Sequence, residues 1–441
     1  MTIQISKAPS KFIIFYMIVV YIIYVFGALN WPKENLLLLT IFYAVVLLAI
    51  KAGYNYGYSL RIKKKRTIYL SSTHINILLI LSVVNLYPVL MIIFAEEHLS
   101  INVIIYKILL ATQGLGDAYY ERGMNILEVS MFKNKWLLFN FLYAPFSCFI
   151  IDTCLLNFKT LNLFQKTLTL FVVLVVVLAY IAVGTNKLIF DYLLLIVTCI
   201  LLNRIKINKK NKFKFSFFSK QTLVISLLIV GALFFFGSTY SSRMQVQKSD
   251  GETAYNTISG TRISQEALFI PEAIRQPVLG FESYLTQGLA HLDQAMGMEF
   301  EWCYGLGASK YFTMLLGYFG ISNDIIKNKT YEERMAKDEG VKNGMYWYSF
   351  YVAYANDITF LFVPLLIFVL AIMLGHYYRR CLVTDDLLCF PIFILLLICF
   401  FYLNANNQIF GKAQLFVFLP LFIVDRFVNI KFKNTVTIRD L

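Results

Sequence analysis

The sequence predicts an all-α polytopic integral membrane protein of about ten transmembrane helices, with one large periplasmic loop built of short helices. Three observations predict it. Of its 441 residues 59% are hydrophobic and 17% aromatic, while only 15% are charged, and the mean hydropathy of +0.65 exceeds that of soluble domains. Apolar runs recur at roughly 16–21 residues, long enough for a helix to cross ~30 Å of hydrocarbon, and they lack the alternation of barrel strands. The formal charge of +14 is one-sided: between Ser238 and Lys342 ten basic residues face thirteen acidic ones. The positive surplus therefore lies in short loops, as the positive-inside rule requires, and points to anionic membrane lipids rather than nucleic acid.

Taken in order, the predicted spans are 12–29, 36–50, 75–95, 136–156, 168–183, 188–202, 222–236, 350–374, 387–403 and 413–430. The run 101–110, carrying Lys107, is too short and polar for a clear span, and topology arbitrates it. Leaving it out places Lys63 to Arg66, Arg204 to Lys214, Arg379 and Arg380, and Lys431 and Lys433 all on one side, the cytoplasm, with both termini. The stretch then lies in the interface or dips partway in. The first span follows Lys7 and Lys11 and reads as retained rather than as a cleaved signal. Three regions result: N-terminal spans over 1–236, including an external segment at 96–135, the large loop over 237–346, and C-terminal spans with a tail over 347–441.

Five of the seven cysteines (Cys148, Cys154, Cys199, Cys389 and Cys399) fall inside apolar runs, and Cys381 stands beside Arg379 and Arg380. Cys303 is alone in the large loop, so packing rather than an internal disulfide must hold that loop.

The polar chemistry gathers opposite the basic loops. Residues 262–275 read as helical and are stopped by Pro277 and Gly280. Residues 281–296 then form a second, amphipathic helix with Phe281, Tyr284, Leu285, Gly288, Leu292, Ala295 and Met296 as its apolar stripe. Tyr284, Gln287, His291 and Gln294 flank that stripe. Such a flank suits sugar hydroxyls, which pair with amides and imidazole while Tyr284 stacks on a pyranose. A docked helix with solvated edge residues gives the same pattern, and a single histidine there is more often simply satisfied by its surroundings.

Arg243, Arg262 and Arg275 carry the planar guanidinium that grips a diphosphate bidentately, and Lys187 offers a point charge on the same face. Snorkelling anchors or surface ion pairs account equally for each one taken singly. Glycosyl transfer to a hydroxyl calls for a base. Glu266, Glu272, Glu282 and Asp293 are candidates beside His291, with a plain Arg262–Glu266 helix pair as the alternative for one of them. The turn Asn404 to Phe410 concentrates carboxamides, including Asn407 and Gln408, which sugar hydroxyls or a neighbouring helix end would satisfy. No metal-ligand spacing occurs on this side, and Asp385–Asp386 sits beside Arg379–Arg380 at the basic end. No Walker A loop, dinucleotide fingerprint or nucleophile elbow is present, so no cofactor is expected.

In this layout, and in the runs Gly184-Thr-Asn-Lys187, Tyr284-Leu-Thr-Gln-Gly288 and Asn406-Asn407-Gln408, the chain resembles the O-antigen polymerase family of bacterial envelopes. Members commonly carry arginine where this chain has Lys187, so the charge is kept and the bidentate grip is not. The resemblance implies a glycosyltransferase of the bacterial inner membrane, acting at the periplasmic face in lipopolysaccharide biosynthesis. It would transfer a growing glycan from undecaprenyl diphosphate to the non-reducing end of a lipid-linked repeat unit. It further implies undecaprenyl-diphosphate-linked oligosaccharide as substrate and a polysaccharide chain-length regulator as partner. An O-antigen ligase and a lipid-linked oligosaccharide flippase are the alternatives. A flippase would be expected to show paired, repeat-like halves, which the chain lacks.

Overall fold

Hydrocarbon offers a backbone no hydrogen-bond partner but itself, so the apolar runs fold as helices. The computed structural model describes residues 2–4, 7–115, 118–119, 135–208, 212–214, 223, 227, 231, 235–237, 239, 261–265, 269–309, 324–338, 348–406 and 414–433. The N-terminal half runs β1 (Thr2–Gln4), α1 (Ala8–Phe26), β2 (Leu29–Asn30), α2 (Leu36–Ser59), β3 (Arg66–Leu70), α3 (Ser72–Val84), α4 (Leu86–Phe94) and α5 (Ile101–Gln113). It continues with α6 (Lys135–Leu156), α7 (Leu163–Ala182), α8 (Lys187–Asn208) and β4 (Lys212–Lys214). Beyond lie β5 (Arg262–Ile263), α9 (Glu272–Met296), α10 (Asp324–Lys329), α11 (Tyr331–Asp338), α12 (Phe350–Val383), α13 (Cys389–Phe401), α14 (Gln414–Phe427) and β6 (Val428–Phe432).

Among the described residues, seven helices are long and apolar enough to cross a membrane: α1, α2, α3 joined to α4, α6, α7, α8 and α12. Their outer faces expose large apolar side chains such as Phe15, Leu48 and Leu361. The expected spans 387–403 and 413–430 are realised as the shorter α13 and α14, of 13 and 14 residues. Most of 222–236 lies outside the described residues. The largest helix–helix seam joins α2 to α12. Gly53 and Gly57 set bare backbone against the carbonyls of Phe368 and Ile372, and Gly375 does the same against Tyr54, so a Cβ at any of the three would collide. This is the small-residue packing that brings membrane helices close.

Three two-stranded ribbons supplement the helices and mark the two ends of the bundle. β1 pairs with β4 and β3 with β6, while β2 pairs with β5. The first two gather the basic segments at the end where α1 begins. The third lies where α1 finishes, which we call the loop end. α5 both starts and stops at the loop end: Lys107 Nζ lies 2.8 Å from Glu96 Oε1, just past α4. The chain after α5 abuts the α7–α8 turn, where Gly184 (φ +62°) leaves no room for a Cβ beneath the Leu115 carbonyl.

At the basic end Arg380, 2% exposed, is enclosed by carboxylates. Its Nη1 and Nη2 donate to Asp425 at 2.7 and 2.6 Å, Nη2 also pairs with Asp386, and Tyr377 donates its hydroxyl to Asp425 at 2.7 Å. Asp386 Oδ1 accepts the Leu388 and Ile430 N–H groups. The Arg379-Arg380 and Asp385-Asp386 pairs of the sequence thus contribute Arg380 and Asp386 to a latch joining α12, α13, α14 and β6.

Candidate functional site

The site is organised by α9, which differs from expectation in three ways. It is one continuous 25-residue helix rather than two, and it runs through Pro277. A proline in the second turn forfeits one bond, to the Ala273 carbonyl, a cost offset by burying Leu279, Leu289 and Leu292 further along. Arg262 is not helical but pairs with Asn30 in the β2–β5 ribbon. From Leu289 to Asp293 the helix is buried on every side instead of presenting one apolar stripe.

The face carrying Glu282, Thr286 and Asp293 clamps the α1–α2 connection. Glu282 accepts the N–H of Ala28 at 3.0 Å and of Leu29 at 2.7 Å. Thr286 Oγ1 accepts Trp31 Nε1–H at 2.9 Å, and Asp293 Oδ2 accepts the Asn35 N–H at 3.1 Å. Hydrogen bonds to a charged acceptor contribute ~1.5–3 kcal/mol each. Burial pushes the Glu282 carboxyl up from its ordinary 4.5, and the two N–H donors and Lys33 restrain the shift. Asp293 is likewise raised by burial and held back by backbone N–H groups. Both carboxylates, which the sequence offers as bases, serve here as pegs.

The roughly opposite face of α9 carries Tyr284, Gln287 and His291 at helical spacing, covering ~10 Å of axis. Tyr284 packs on Phe236, ring centroids 5.3 Å apart, and Phe236 packs on Phe190 of α8. At the start of α8, Lys187 Nζ lies 2.6 Å from Asp191 Oδ2 and 5.9 Å from the Tyr402 ring centroid. The Tyr402 hydroxyl meets the Lys187 carbonyl at 3.4 Å, within electrostatic reach of both Asp191 and Tyr284. Asn186, 4% exposed, has neither Nδ2 nor Oδ1 hydrogen-bonded, and the same holds for Asp191 Oδ1 and Gln287 Nε2. A helix N-terminus carries partial positive charge. Lys187 and a buried amide adjoin it, so an anion entering this corner meets the helix N-terminus and competes with Asp191 for the Lys187 ammonium.

His291, 1% exposed, stands at the other end of the stripe with its ring centroid 4.7 Å from that of Tyr348. The Tyr348 hydroxyl donates to the Glu332 carbonyl at 3.2 Å, and Glu332 Oε2 accepts Asn356 Nδ2–H at 2.7 Å. Asn356 Oδ1 in turn accepts the Tyr331 N–H at 2.8 Å. Between the two ends Gly288 rests on the Asn404 carbonyl, where a Cβ would collide. Asn404 is fixed by the hydroxyls of Tyr43 and Tyr351. Glu332, Tyr348 and Asn356 were not singled out from sequence. The signal for Glu332 was the pairing of Tyr331 with Met335 and of Glu332 with Ala336, which sets the glutamate on the buried face of a short helix.

The structure brings Lys187 and Tyr284 together and sets Gln287 and His291 on the same face. It does not bring the remaining candidates to them. Glu272 is exposed at the start of α9, nineteen residues before His291, or ~28 Å along the axis, so the two cannot serve one bond. Arg275 turns back on the Ile270 carbonyl through Nε and Nη2, at 3.2 and 3.0 Å. Arg262 is exposed. Arg243, Glu266, Asn407 and Gln408 lie outside the described residues. Comparison with family models, curated proteins and solved structures finds no match, so a functional reading of this chain stands on its sequence pattern and on the geometry of the α9 stripe.

Proposed function

We propose that the chain is an O-antigen polymerase of the bacterial inner membrane, transferring a growing glycan from undecaprenyl diphosphate to a lipid-linked repeat unit. The observation that carries the reading is the buried stripe of α9, which runs from the Lys187 corner of α8 to His291. In this reading Lys187, the α8 N-terminus and Asn186 hold the diphosphate that leaves. Tyr284 and Gln287 hold sugar hydroxyls, and His291 takes the proton of the acceptor hydroxyl as its oxygen bonds the anomeric carbon. The anomeric C–O bond to the diphosphate breaks, and undecaprenyl diphosphate departs with the bonding pair.

Of the ten spans in this reading, with the loop end periplasmic, the ribbons support the first six. β1 and β4 meet at one end, which demands an even number of crossings between them. The return of α5 to the loop end meets that demand without counting it as a span.

The test is deletion and complementation in the host, with extracted lipopolysaccharide resolved by gel. A core bearing a single repeat unit, with the ladder restored by the intact gene, is the expected result. Loss of every repeat with lipid-linked polymer accumulating would make it a ligase, and an unchanged ladder would remove both.

A further inference from the structure

Outside the α9 stripe the structure holds an apolar groove of about 740 Å³, lined by Phe300 and Trp302 of the large loop and by Thr359, Phe362, Leu365 and Val369 of α12. Phe362, Leu365 and Val369 lie on the lipid-facing side, between 46% and 60% exposed. α12 is interrupted in this groove: Thr359 holds φ +57° and ψ 159°, a conformation suited to glycine. Pro364 supplies no N–H for the Phe360 carbonyl. Backbone freed in this way within a bilayer is tolerated where it lines a cavity.

The groove has a direction and a length. α12 begins at the loop end, so Thr359 is nearer that end and Val369 deeper. The ten residues between them cover ~15 Å, half of a ~30 Å hydrocarbon core and thus one leaflet. Near its loop end, Trp302 packs at a tilt against Tyr304 with centroids 4.9 Å apart. Lys329 Nζ sits 4.6 Å from the Tyr304 ring centroid and donates to its hydroxyl at 3.0 Å. An aromatic ledge bearing an ammonium above a leaflet-long apolar channel complements a lipid with an anionic head. Asp357 also lines the groove, but its oxygens are taken by the N–H groups of Gly307 and Ala308 at 3.0 and 2.8 Å. Its neighbour Asn356 begins the chain of contacts through Glu332 and Tyr348 to His291.

Resting on the polymerase reading, we propose that this groove holds the hydrocarbon tail of the acceptor, with the acceptor's diphosphate at Lys329. A reaction joining two lipid-linked glycans needs two tail sites. Lys187, 25% exposed and paired with Asp191, stands at the end of the α9 stripe where the donor diphosphate leaves, whereas Lys329 stands beside the groove and anchors the acceptor lipid.

The test fills the groove with Leu365→Trp and uses Leu361→Trp, 79% exposed and outside the lining, as the control. In nanodiscs, Leu365→Trp should raise the KM for a long-tailed acceptor at least tenfold. The KM for the donor and for a short-tailed acceptor should stay unchanged, as should all three values in the control. Equal losses for donor and acceptor, or no loss, overturn the proposal. A second readout needs no turnover. Undecaprenyl diphosphate carrying a diazirine in its tail should crosslink to residues 359–369 and be displaced by unlabelled carrier. No crosslink within 359–369, or displacement there by bulk phospholipid alone, overturns it. If the wild-type protein makes no polymer from any pair, the polymerase reading fails and the acceptor assignment with it, while crosslinking still reports whether the groove takes this lipid.

Discussion

The Arg380 latch and the Lys187 corner, at opposite ends of the bundle, handle buried polar groups in opposite ways. At the basic end Arg380 is surrounded: two aspartates neutralise it, and those aspartates also accept from Tyr377 and from backbone N–H groups. At the loop end, Asn186 is buried like the latch and makes no side-chain hydrogen bond, while Asp191 and Gln287 are only partly satisfied. Buried polar atoms without partners cost stability. The latch spends its polar atoms on one another, although His376 Nδ1 and Asn203 Oδ1 near the same end stay open, while the loop end leaves open the Asn186, Asp191 and Gln287 atoms on which the proposed reading rests.

The comparison is broken most severely at the latch. Arg380→Ala leaves Asp386 buried without a cation and Asp425 with Lys65 alone, 3.1 Å away, and should cost ~3–5 kcal/mol, seen as a large drop in thermal midpoint and in the amount of folded protein in membranes. At the loop end Lys187→Ala should do the reverse. The thermal midpoint falls by less than for Arg380→Ala, because the Lys187–Asp191 pair is 25% and 12% exposed, while kcat/KM for polymerisation falls ~10²–10³-fold, the scale expected when a group stabilising developing charge is removed.

A smaller effect sharpens the division within α9 itself. Glu282→Gln removes one acceptor from the clamp on Ala28 and Leu29, and should cost ~1–3 kcal/mol without altering donor KM. Its pH dependence has a definite sign. Burial holds the Glu282 and Asp293 carboxyls above their ordinary values, so the folded state binds protons more readily than the unfolded chain. The resulting stabilisation is complete below those ordinary values and is lost as pH rises through the raised ones. Thermal midpoints measured from acid upward should therefore decline across that window, and Glu282→Gln should flatten the decline. The smallest effect belongs to Arg262→Ala: exposed on a two-residue ribbon, it should shift stability by ~0.5 kcal/mol or less and leave the ladder of polymer lengths intact.

Features with a local signature were legible in the sequence. Long apolar runs gave the helices, and the charge asymmetry matched the two-ended ribbons. Three- and four-residue spacing put Tyr284, Gln287 and His291 on one face of a helix in the large loop. Features made by distant contacts were not legible. Glu282 and Asp293 looked like free carboxylates because their donors lie some 250 residues earlier, at Ala28, Leu29 and Asn35. Arg262 looked helical because its pairing with Asn30 leaves no trace in periodicity. The Pro277 stop signal was overridden by burial of the turns that follow. The break at Thr359 occurs at a β-branched residue, which no local rule would choose.

The most direct measurement of the account is the lipopolysaccharide ladder of a strain expressing His291→Gln, read together with the amount of that protein in the membrane. The account predicts normal abundance and a core carrying no more than one repeat unit. Normal abundance with a full ladder would contradict it, and would move the chemistry away from the α9 stripe.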